Sequence, residues 1–208
     1  MNEVIETLKK VGAILTDDHF VGTSGLHLSN YILKDALFPH TSEVSKICKL
    51  FAEKYKDQNI EVVVAPAIGG IILSQWVAHH LSQVTGREVL GVFTEKTADN
   101  DQVFKRGYEK YVSNKRVLVL EDNTTTGGSV VKVANSVKNA GGNIVAVCVM
   151  VNRDPEHVNS KTLGIPFDSL SELPSPSYKP EECPLCKQNI PVNTVIGHGK
   201  KFLEEKNK

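Results

Sequence analysis

The sequence contains no run of about 18 apolar residues, the length that a membrane-spanning helix needs. Its first residues, MNEVIETLKKVGAIL, carry acids early and no uninterrupted apolar stretch, so we expect no signal peptide. An excess of charge of one sign is also absent, because 24 Lys and Arg residues balance 24 Asp and Glu residues. General nucleic-acid binding needs a basic surface. We therefore expect neither nucleic acid nor a membrane as a partner.

Cysteine is scarce, with four residues in 208. Cys48 and Cys148 lie in periodic apolar segments, where a cysteine is usually a small buried hydrophobe. Cys183 and Cys186 form a single CPLC pair, with His198 downstream. Zinc needs four ligands, so this pair is a weak zinc candidate that a dimer could complete, and two reduced thiols in a turn are the alternative. This usage predicts a cytoplasmic protein without a disulfide framework.

What the sequence does contain is a regular alternation of short apolar runs with helical patterns. The predicted strands are residues 60–65, 89–93, 117–120 and 144–151. The predicted helices are residues 71–84 and a segment that starts at Ser129 and ends at the glycines of AGG, residues 140–142. Strands that are apolar throughout and separated by helices are typical of a parallel sheet covered on both faces. The chain length fits one α/β domain.

The other segments have weaker patterns. The helix 71–84 is predicted to direct one set of side chains to one face, namely Ile72, Trp76, His80, Leu81 and Val84. Residues 94–114 are polar and charged, so we expect a mobile loop or a hairpin there. The tail from about residue 171 to 208 is rich in proline and is predicted to be irregular.

Polar or glycine-rich loops follow all four predicted strands. They are PAIGG (66–70), FTEK (93–96), EDNTTTGGS (121–129) and NRDPE (152–156). In parallel sheets, ligands bind at the carboxyl ends of the strands. We therefore expect these four loops to converge on one site.

The stretch VLVLEDNTTTGGSV ends an apolar strand in two acids, Glu121 and Asp122. Carboxylates at a strand end can accept hydrogen bonds from the vicinal hydroxyls of a sugar. Residues 124–129 then lead into a helix, whose free N–H groups and positive dipole end favour an anion. The pattern therefore predicts a site for a ribose 5-phosphate. An ordinary turn with capping threonines and surface acids is the alternative.

The same stretch resembles the phosphoribosyl diphosphate signature of type I phosphoribosyltransferases, with Asn123 as a departure from the usual aliphatic residue or threonine. HFVGTSGLHLSNYILKDALF, residues 19–38, resembles the N-terminal substrate-binding segment of orotate phosphoribosyltransferases. RGYEKYVSNKRVLVLEDNTTTGGSV and the tail YKPEECPLCKQNIP resemble one microbial branch of that family. The resemblance implies the type I phosphoribosyltransferase fold over a single domain, residues 1–208. That fold is a mostly parallel sheet flanked by helices, with a small N-terminal hood at about residues 1–40.

The resemblance also implies a reaction. The 5-phosphoribosyl group of phosphoribosyl diphosphate would pass to orotate, giving orotidine 5′-monophosphate and diphosphate in pyrimidine (UMP) biosynthesis. Mg²⁺ is the implied cofactor, carried on the substrate. A homodimer is implied, in which a loop of one subunit closes over the neighbouring site. That loop is usually basic and contains histidine, whereas this chain has TADNDQVFKRG, so the residue with the closing role stays open.

The resemblance assigns roles to residues of these segments. The predicted phosphoribosyl diphosphate ligands are Glu121, Asp122, Thr124, Thr125, Thr126, Gly127, Gly128, Ser129, Ala67, Gly69 and Lys96. The predicted orotate ligands are Arg153, Thr125, Lys34, Ser24 and Gly25. The predicted catalytic residues are Asp122, Lys105 and Arg106. From chemistry alone, the forked donors of Arg153 match a planar carboxylate, and an ion pair at a helix cap is the alternative. A plain tight turn at residues 66–70 and a solvated Lys96 are the corresponding alternatives.

Two other functions are compatible with the sequence. The chain could transfer the phosphoribosyl group to a purine or another base, although Arg153 and the SGLH segment argue against it. It could instead be a regulator that binds phosphoribosyl diphosphate without catalysis. Such regulators usually carry a DNA-binding segment or a basic face, and this sequence shows neither.

Overall fold

The computed structural model describes residues 2–206. Met1, Asn207 and Lys208, which belong to the predicted single domain, lie outside the described residues. Within this range the helices are α1 (Glu3–Lys10), α2 (Lys34–Leu37), α3 (Thr41–Tyr55), α4 (Gly69–Thr85), α5 (Glu109–Val112), α6 (Gly128–Asn139), α7 (Ser160–Leu163), α8 (Pro184–Lys187) and α9 (Gly199–Lys206), and a 3₁₀ turn covers Lys56–Gln58. The strands are β1 (Ile14–Leu15), β2 (Phe20–Val21), β3 (His27–Leu28), β4 (Tyr31–Ile32), β5 (Val62–Pro66), β6 (Leu90–Lys96), β7 (Gln102–Val103), β8 (Arg116–Thr124), β9 (Asn143–Asn152), β10 (Phe167–Glu172) and β11 (Ser177–Tyr178). No helix in residues 2–206 is both long enough and apolar enough to span a bilayer.

A six-stranded sheet in the order β10-β9-β8-β5-β6-β7 forms the centre of the molecule. Its first five strands are parallel to one another, and β7 pairs with β6 in the antiparallel direction. The predicted α/β class and the mostly parallel sheet are confirmed.

Side chains of β5 alternate between two apolar clusters, one on each face of the sheet. Val63 and Ala65 belong to the cluster that includes residues of α3 and α4, whereas Val62 and Val64 belong to the cluster under α6. All five residues of β5 are buried. Burial on both faces explains why this strand is apolar throughout rather than alternating.

The hood, at about residues 1–40, contributes short strands that lie outside the central sheet. β1 pairs with β4. β3 pairs with β2 on one side and with β11 from the tail on the other, which gives a three-stranded sheet. The tail from about residue 171 is therefore more ordered than predicted, since it also contains the end of β10 and the helices α8 and α9. Sequence pattern misses β11 because a two-residue strand has no periodicity of its own.

Two local predictions are refined by the structure. The segment 94–114 contains a hairpin in which Glu95 pairs with Val103, followed by the short helix α5. In α4 the predicted face is wrong at Val84, which is exposed, whereas Leu81 is buried and Ile72 and Trp76 pack against the core. The buried residues of the helix are Gly69, Gly70, Leu73, Ser74, Val77, Ala78 and Leu81. Trp76 and His80 are half-buried, and Ser45 of α3 hydrogen-bonds His80 at 3.0 Å. α4 packs against both the central sheet and α3. Its large, partly buried side chains at the contact with α3 widen the apolar face, so the sequence pattern does not define its edge.

The corrected face of α4 predicts different costs for two truncations in the same helix. Leu81 is 1% exposed and Val84 is 41% exposed. Leu81→Ala should lower the free energy of unfolding by about 2–5 kcal/mol, because it removes buried methyl groups and leaves a cavity. Val84→Ala should change it by less than about 0.5 kcal/mol. Denaturant unfolding measures both, and equal costs would contradict the corrected face.

Candidate active site

A cavity of about 720 Å³ opens at the carboxyl ends of the parallel strands, beneath the hood. All four loops predicted to converge contribute to it. Its lining includes Ala67 after β5, Lys96 at the end of β6, Thr125 after β8 and Arg153 after β9. The parallel arrangement of these strands explains the convergence, because their carboxyl ends meet at one edge. We call this cavity the crevice.

Two acids of β8, Glu121 and Asp122, lie at the floor of the crevice. β8 continues to Thr124, so both acids lie inside the strand rather than beyond its end. They are 8% and 7% exposed. The backbone N–H of Asp122 donates to Glu121 Oε1 at 3.1 Å. Asn123 donates to Asp122 Oδ1 through its backbone N–H at 2.6 Å and its side-chain amide at 2.7 Å, so this departure from the family pattern fixes the carboxylate in place.

Burial makes these two acids hard to ionise. It raises the pKa of Asp122 to about 6, although the charge of Lys34 and the hydrogen bonds from Asn123 lower this pKa in part. Burial also raises the pKa of Glu121 well above its usual range, and the neighbouring charge of Asp122 adds to this effect. Two adjacent buried carboxylates repel each other, so the ligand-free crevice favours states in which a proton is retained.

The turn after β8 brings hydroxyls and backbone N–H groups to the crevice. Thr124, Thr125, Thr126, Gly128 and Ser129 line it, and α6 begins at Gly128. The N–H of Gly127 donates to Thr124 Oγ1 at 2.9 Å, which closes the turn. Gly127 lies behind the turn, at a φ of +75°, where a Cβ atom would stand 2.7 Å from Leu163. Its structure supports a role in shaping the turn rather than the predicted ligand contact.

The loop after β5 lies directly against the acids. Ala67 and Gly69 both line the crevice, and the N–H of Ala67 donates to the carbonyl of Thr94 at 2.7 Å. A Cβ atom on Gly69 would lie 2.9 Å from Lys34 Cε and 3.0 Å from Asp122 Oδ2. Glycine therefore leaves the room that the lysine and the carboxylate occupy.

Four cationic side chains line the crevice: Lys34, Lys96, Lys132 and Arg153. Lys132 was not predicted. It lies one turn into α6, four residues after Gly128, and its ammonium donates to the carbonyl of Asn100 in the β6–β7 hairpin. The signal that could have found it is this spacing, since a helix places residues four apart on one side.

Arg153 is the most buried of these cations, at 3% exposure. Its backbone N–H donates to the carbonyl of Thr124 at 2.9 Å. Its Nη2 donates to the carbonyl of Asn30 at 3.0 Å and also to the Asn30 side chain. Its Nε has no hydrogen-bond partner in the described part of the chain. Burial lowers the pKa of Arg153. A buried donor without a partner is costly, so this nitrogen is suited to a ligand acceptor.

The remaining predicted residues lie in different places. Ser24 and Lys34 line the crevice, whereas Gly25 forms the hood turn through an N–H bond to the carbonyl of Gly22 at 3.0 Å. Lys105 and Arg106 lie outside the crevice lining and both pair with Glu95, at 3.7 Å and 2.9 Å. Cys183 and Cys186 are also absent from the lining, but His198 belongs to it.

Comparison with known proteins gives consistent matches. A family model described as the phosphoribosyl transferase domain matches residues 34–163. The orotate phosphoribosyltransferase of Caldanaerobacter subterraneus subsp. tengcongensis is 36% identical over 190 residues, which cover 91% of this chain and 94% of that protein. The orotate phosphoribosyltransferase of Thermotoga maritima is 36% identical over 197 residues, which cover 94% of this chain and 98% of that protein.

Solved structures share the fold. The orotate phosphoribosyltransferase of Mycobacterium tuberculosis, in complex with 5-phospho-alpha-D-ribosyl 1-diphosphate, matches with a TM-score of 0.57 and 21% sequence identity. The match covers 82% of this chain and 89% of that chain. At this identity the likeness concerns the fold alone.

The raised pKa of Asp122 predicts a pH-dependent effect of Asp122→Asn on stability in the absence of ligand. A carboxyl group with a raised folded pKa favours folding below its unfolded value, near 3.8, and that contribution is lost as the pH rises through about 6. At pH 8 the asparagine variant should exceed the parent in unfolding free energy by on the order of 2 kcal/mol, and the gain should vanish near pH 4. The exposed Asp57→Asn is the matched control and should show no such trend. Denaturant unfolding across this pH range checks it, and parallel profiles for parent and Asp122→Asn would contradict it.

Proposed function

The chain belongs to the orotate phosphoribosyltransferase family, and on that premise we propose that its crevice transfers the 5-phosphoribosyl group from phosphoribosyl diphosphate to orotate. The products are orotidine 5′-monophosphate and diphosphate, and the step belongs to pyrimidine biosynthesis. One observation carries the proposal. The buried pair Glu121 and Asp122, the turn 124–129 and the partly unpartnered Arg153 line the same crevice.

The acid pair and the following turn bind the phosphoribosyl group. Ionised Glu121 and Asp122 accept hydrogen bonds from the ribose hydroxyls, which are good donors in a site with little water. The 5′-phosphate lies at the turn 124–129, where hydroxyls, backbone N–H groups and the positive end of α6 favour an anion. The fixed position of Asp122, held by Asn123, supports this arrangement.

The loop after β5 and Lys96 bind the diphosphate that leaves. Ala67 and Gly69 line the crevice, and Lys96 adds a positive charge there. The carboxylates of Glu121 and Asp122 and the hydroxyls of the turn 124–129 are hard oxygen ligands, the kind that Mg²⁺ prefers, and a Mg²⁺ ion carried by the substrate would neutralise charge on the diphosphate. When the bond between C1′ and the diphosphate breaks, positive charge develops on the ribose ring. Asp122, as a carboxylate, stabilises that charge.

Arg153 binds the carboxylate that distinguishes orotate from uracil. Its Nη2 is held by Asn30, and its Nε is free within residues 2–206 to donate to that carboxylate. Lys34 and Ser24 of the hood and Thr125 of the turn line the remaining space for the pyrimidine. Gly25 acts through the shape of the hood turn.

Lys105 and Arg106 act in the crevice of a second subunit, in a homodimer. The support is that, within the described residues, neither side chain lines the crevice of its own chain. Both sit beyond the β6–β7 hairpin, with side chains 50% and 61% exposed. Glu95 holds them near one another in the subunit that carries them.

The role of Arg153 predicts a loss that is specific to orotate. Arg153→Ala should lower kcat/KM for orotate by about 10²-fold, because a charged and buried contact to the substrate is lost. The affinity for phosphoribosyl diphosphate, measured without a base, should change little. Arg116→Ala is the matched control, since Arg116 donates to the carbonyl of Gln58 away from the crevice and its loss should leave kcat/KM unchanged.

Diphosphate release with a panel of bases measures this effect and tests the proposed reaction itself. The parent should release diphosphate with orotate, much less with uracil, and little with adenine or hypoxanthine. A parent that prefers a purine would contradict the proposed reaction. An Arg153→Ala variant that uses orotate as the parent does would contradict only the role of Arg153.

The proposed dimer predicts complementation between two inactive variants. A double variant of Lys105→Ala and Arg106→Ala lacks the residues that act in the partner crevice, and Asp122→Asn lacks an intact crevice. Hybrid dimers restore one complete site, so the mixture should regain up to about a quarter of the parent activity. A monomer by light scattering at assay concentration, or a mixture as inactive as its components after subunit exchange, would contradict the arrangement.

A further inference from the structure

Four side chains with metal-binding atoms meet between the hood and the tail. His19 immediately precedes β2, His27 lies in β3, Cys183 precedes α8 and Cys186 lies within α8. One possible ligand atom from each residue lies within 4.8 Å of all the others. His19, His27 and Cys183 are wholly buried. We call these four residues the hood–tail cluster.

The distances within the hood–tail cluster match a tetrahedral zinc site. Zinc lies about 2.3 Å from sulfur and about 2.0–2.1 Å from nitrogen, which separates sulfur from nitrogen by about 3.6 Å. Cys183 Sγ is 3.7 Å and Cys186 Sγ is 3.9 Å from His19 Nε2, and Cys186 Sγ is 3.4 Å from His27 Nδ1. The two imidazole nitrogens are 2.8 Å apart, about half an ångström closer than zinc would hold them. If the two imidazole nitrogens moved apart by this half ångström, all four ligand atoms would fit tetrahedral zinc.

The surroundings orient the two imidazoles toward the centre of the cluster. His19 Nδ1 lies 2.8 Å from the carbonyl of Ile190, so it carries the hydrogen and leaves the Nε2 lone pair facing the cluster. His27 Nε2 has no hydrogen-bond partner in the range 2–206, and its ring packs edge-to-face against Phe202. The strong interactions available to this buried ring are therefore those of Nδ1, which faces the cluster.

We propose that His19, His27, Cys183 and Cys186 form a structural zinc site that fastens the hood to the tail. Two thiolates and two imidazoles in a tetrahedral arrangement favour zinc. Four protein ligands leave no open position, as is typical of a structural rather than a catalytic zinc. The cluster explains a CPLC pair that lacks a second sequence-adjacent pair, because the hood supplies the other two ligands. His198, the downstream histidine, lies instead in the crevice lining.

The hood has few interactions of its own that would stabilise it, so a metal link to the tail would add to its stability. Its covering strands β2 and β3 have two residues each, as does β11, which pairs with β3, and strands this short are not stable alone. Phe20, Val21 and Leu28 are buried, but among the described residues they belong to neither of the two apolar clusters of the central sheet. Small units with little core commonly rely on a metal for stability.

The zinc site also bears on the crevice. Gly22, Thr23 and Ser24, which lie between the two histidines, line the crevice, as does tail residue Gly197. The N–H of His198 donates to the carbonyl of Val21 at 2.9 Å. The metal therefore holds together two segments that cover the substrate, while its ligands stand outside the crevice lining.

Metal analysis of the purified protein tests the proposal. Protein made in zinc-containing medium and purified without chelators should hold one zinc per chain. Cys183→Ser, Cys186→Ser and His27→Gln should each lose it. Cys48→Ala and His79→Gln are matched controls, because they remove a thiol and an imidazole outside the hood–tail cluster, and both should keep the metal.

A second experiment avoids variants that could fail to fold. The parent is treated with a chelator and then titrated with Co²⁺, which should produce the absorption bands of tetrahedral cobalt bound to thiolates. Amide hydrogen exchange in residues 19–28 and 183–198 should quicken on chelation, while exchange in β5 and β8 stays slow. Purified parent without zinc and without these cobalt bands would overturn the proposal. So would a Cys183–Cys186 disulfide in freshly purified protein, or metal retained in the cysteine variants.

Discussion

The burial of two neighbouring carboxylates in the central strand is the constraint on which the rest of the site depends. Glu121 and Asp122 are more than nine-tenths buried, and burial raises the pKa of both. Such a pair is unfavourable when both members are ionised, unless donors and cations face it. Asn123 supplies hydrogen-bond donors to Asp122, and Lys34 supplies a positive charge. Gly69 leaves the space in which the lysine and the carboxylate lie. In the proposed function, a polyhydroxylated substrate that carries Mg²⁺ would supply the donors and positive charge that this pair needs, so substrate binding would be tied to the ionisation of the pair.

The parts of the fold that follow from local pattern were predictable. The four parallel strands, the α6 helix and the convergence of four loops follow from apolar runs, a glycine stop and the geometry of a parallel sheet. The face of α4 was predicted wrongly only at Val84, which lies in the last turn of the helix and is exposed, whereas Leu81 is buried and Trp76 packs against the core. Contacts between distant parts of the chain had no local signal. Asn30 on Arg153, Lys132 on the hairpin, and His19 with His27 beside the cysteines are of this kind.

The hood and the tail show how a small, weakly packed segment can still cover an active site. The hood gives Lys34, Ser24 and Asn30 to the crevice or to Arg153, yet its covering strands are short. The tail supplies β11, the two cysteines and a further segment of the crevice lining. The central sheet thus forms one side of the site, and the hood and the tail form the other. The proposed zinc links the hood to the tail and does not contact Glu121 or Asp122.

The central claim is that Glu121 and Asp122 bind the ribose of phosphoribosyl diphosphate as ionised carboxylates. Calorimetric titration of phosphoribosyl diphosphate with Mg²⁺ at pH 8, into the parent, Glu121→Gln and Asp122→Asn, tests it most directly. Loss of a charge-assisted hydrogen bond costs about 1.5–3 kcal/mol, so the affinity of each variant should fall roughly tenfold to more than a hundredfold, with its unfolding still cooperative. Affinities equal to that of the parent in both folded variants would contradict the account.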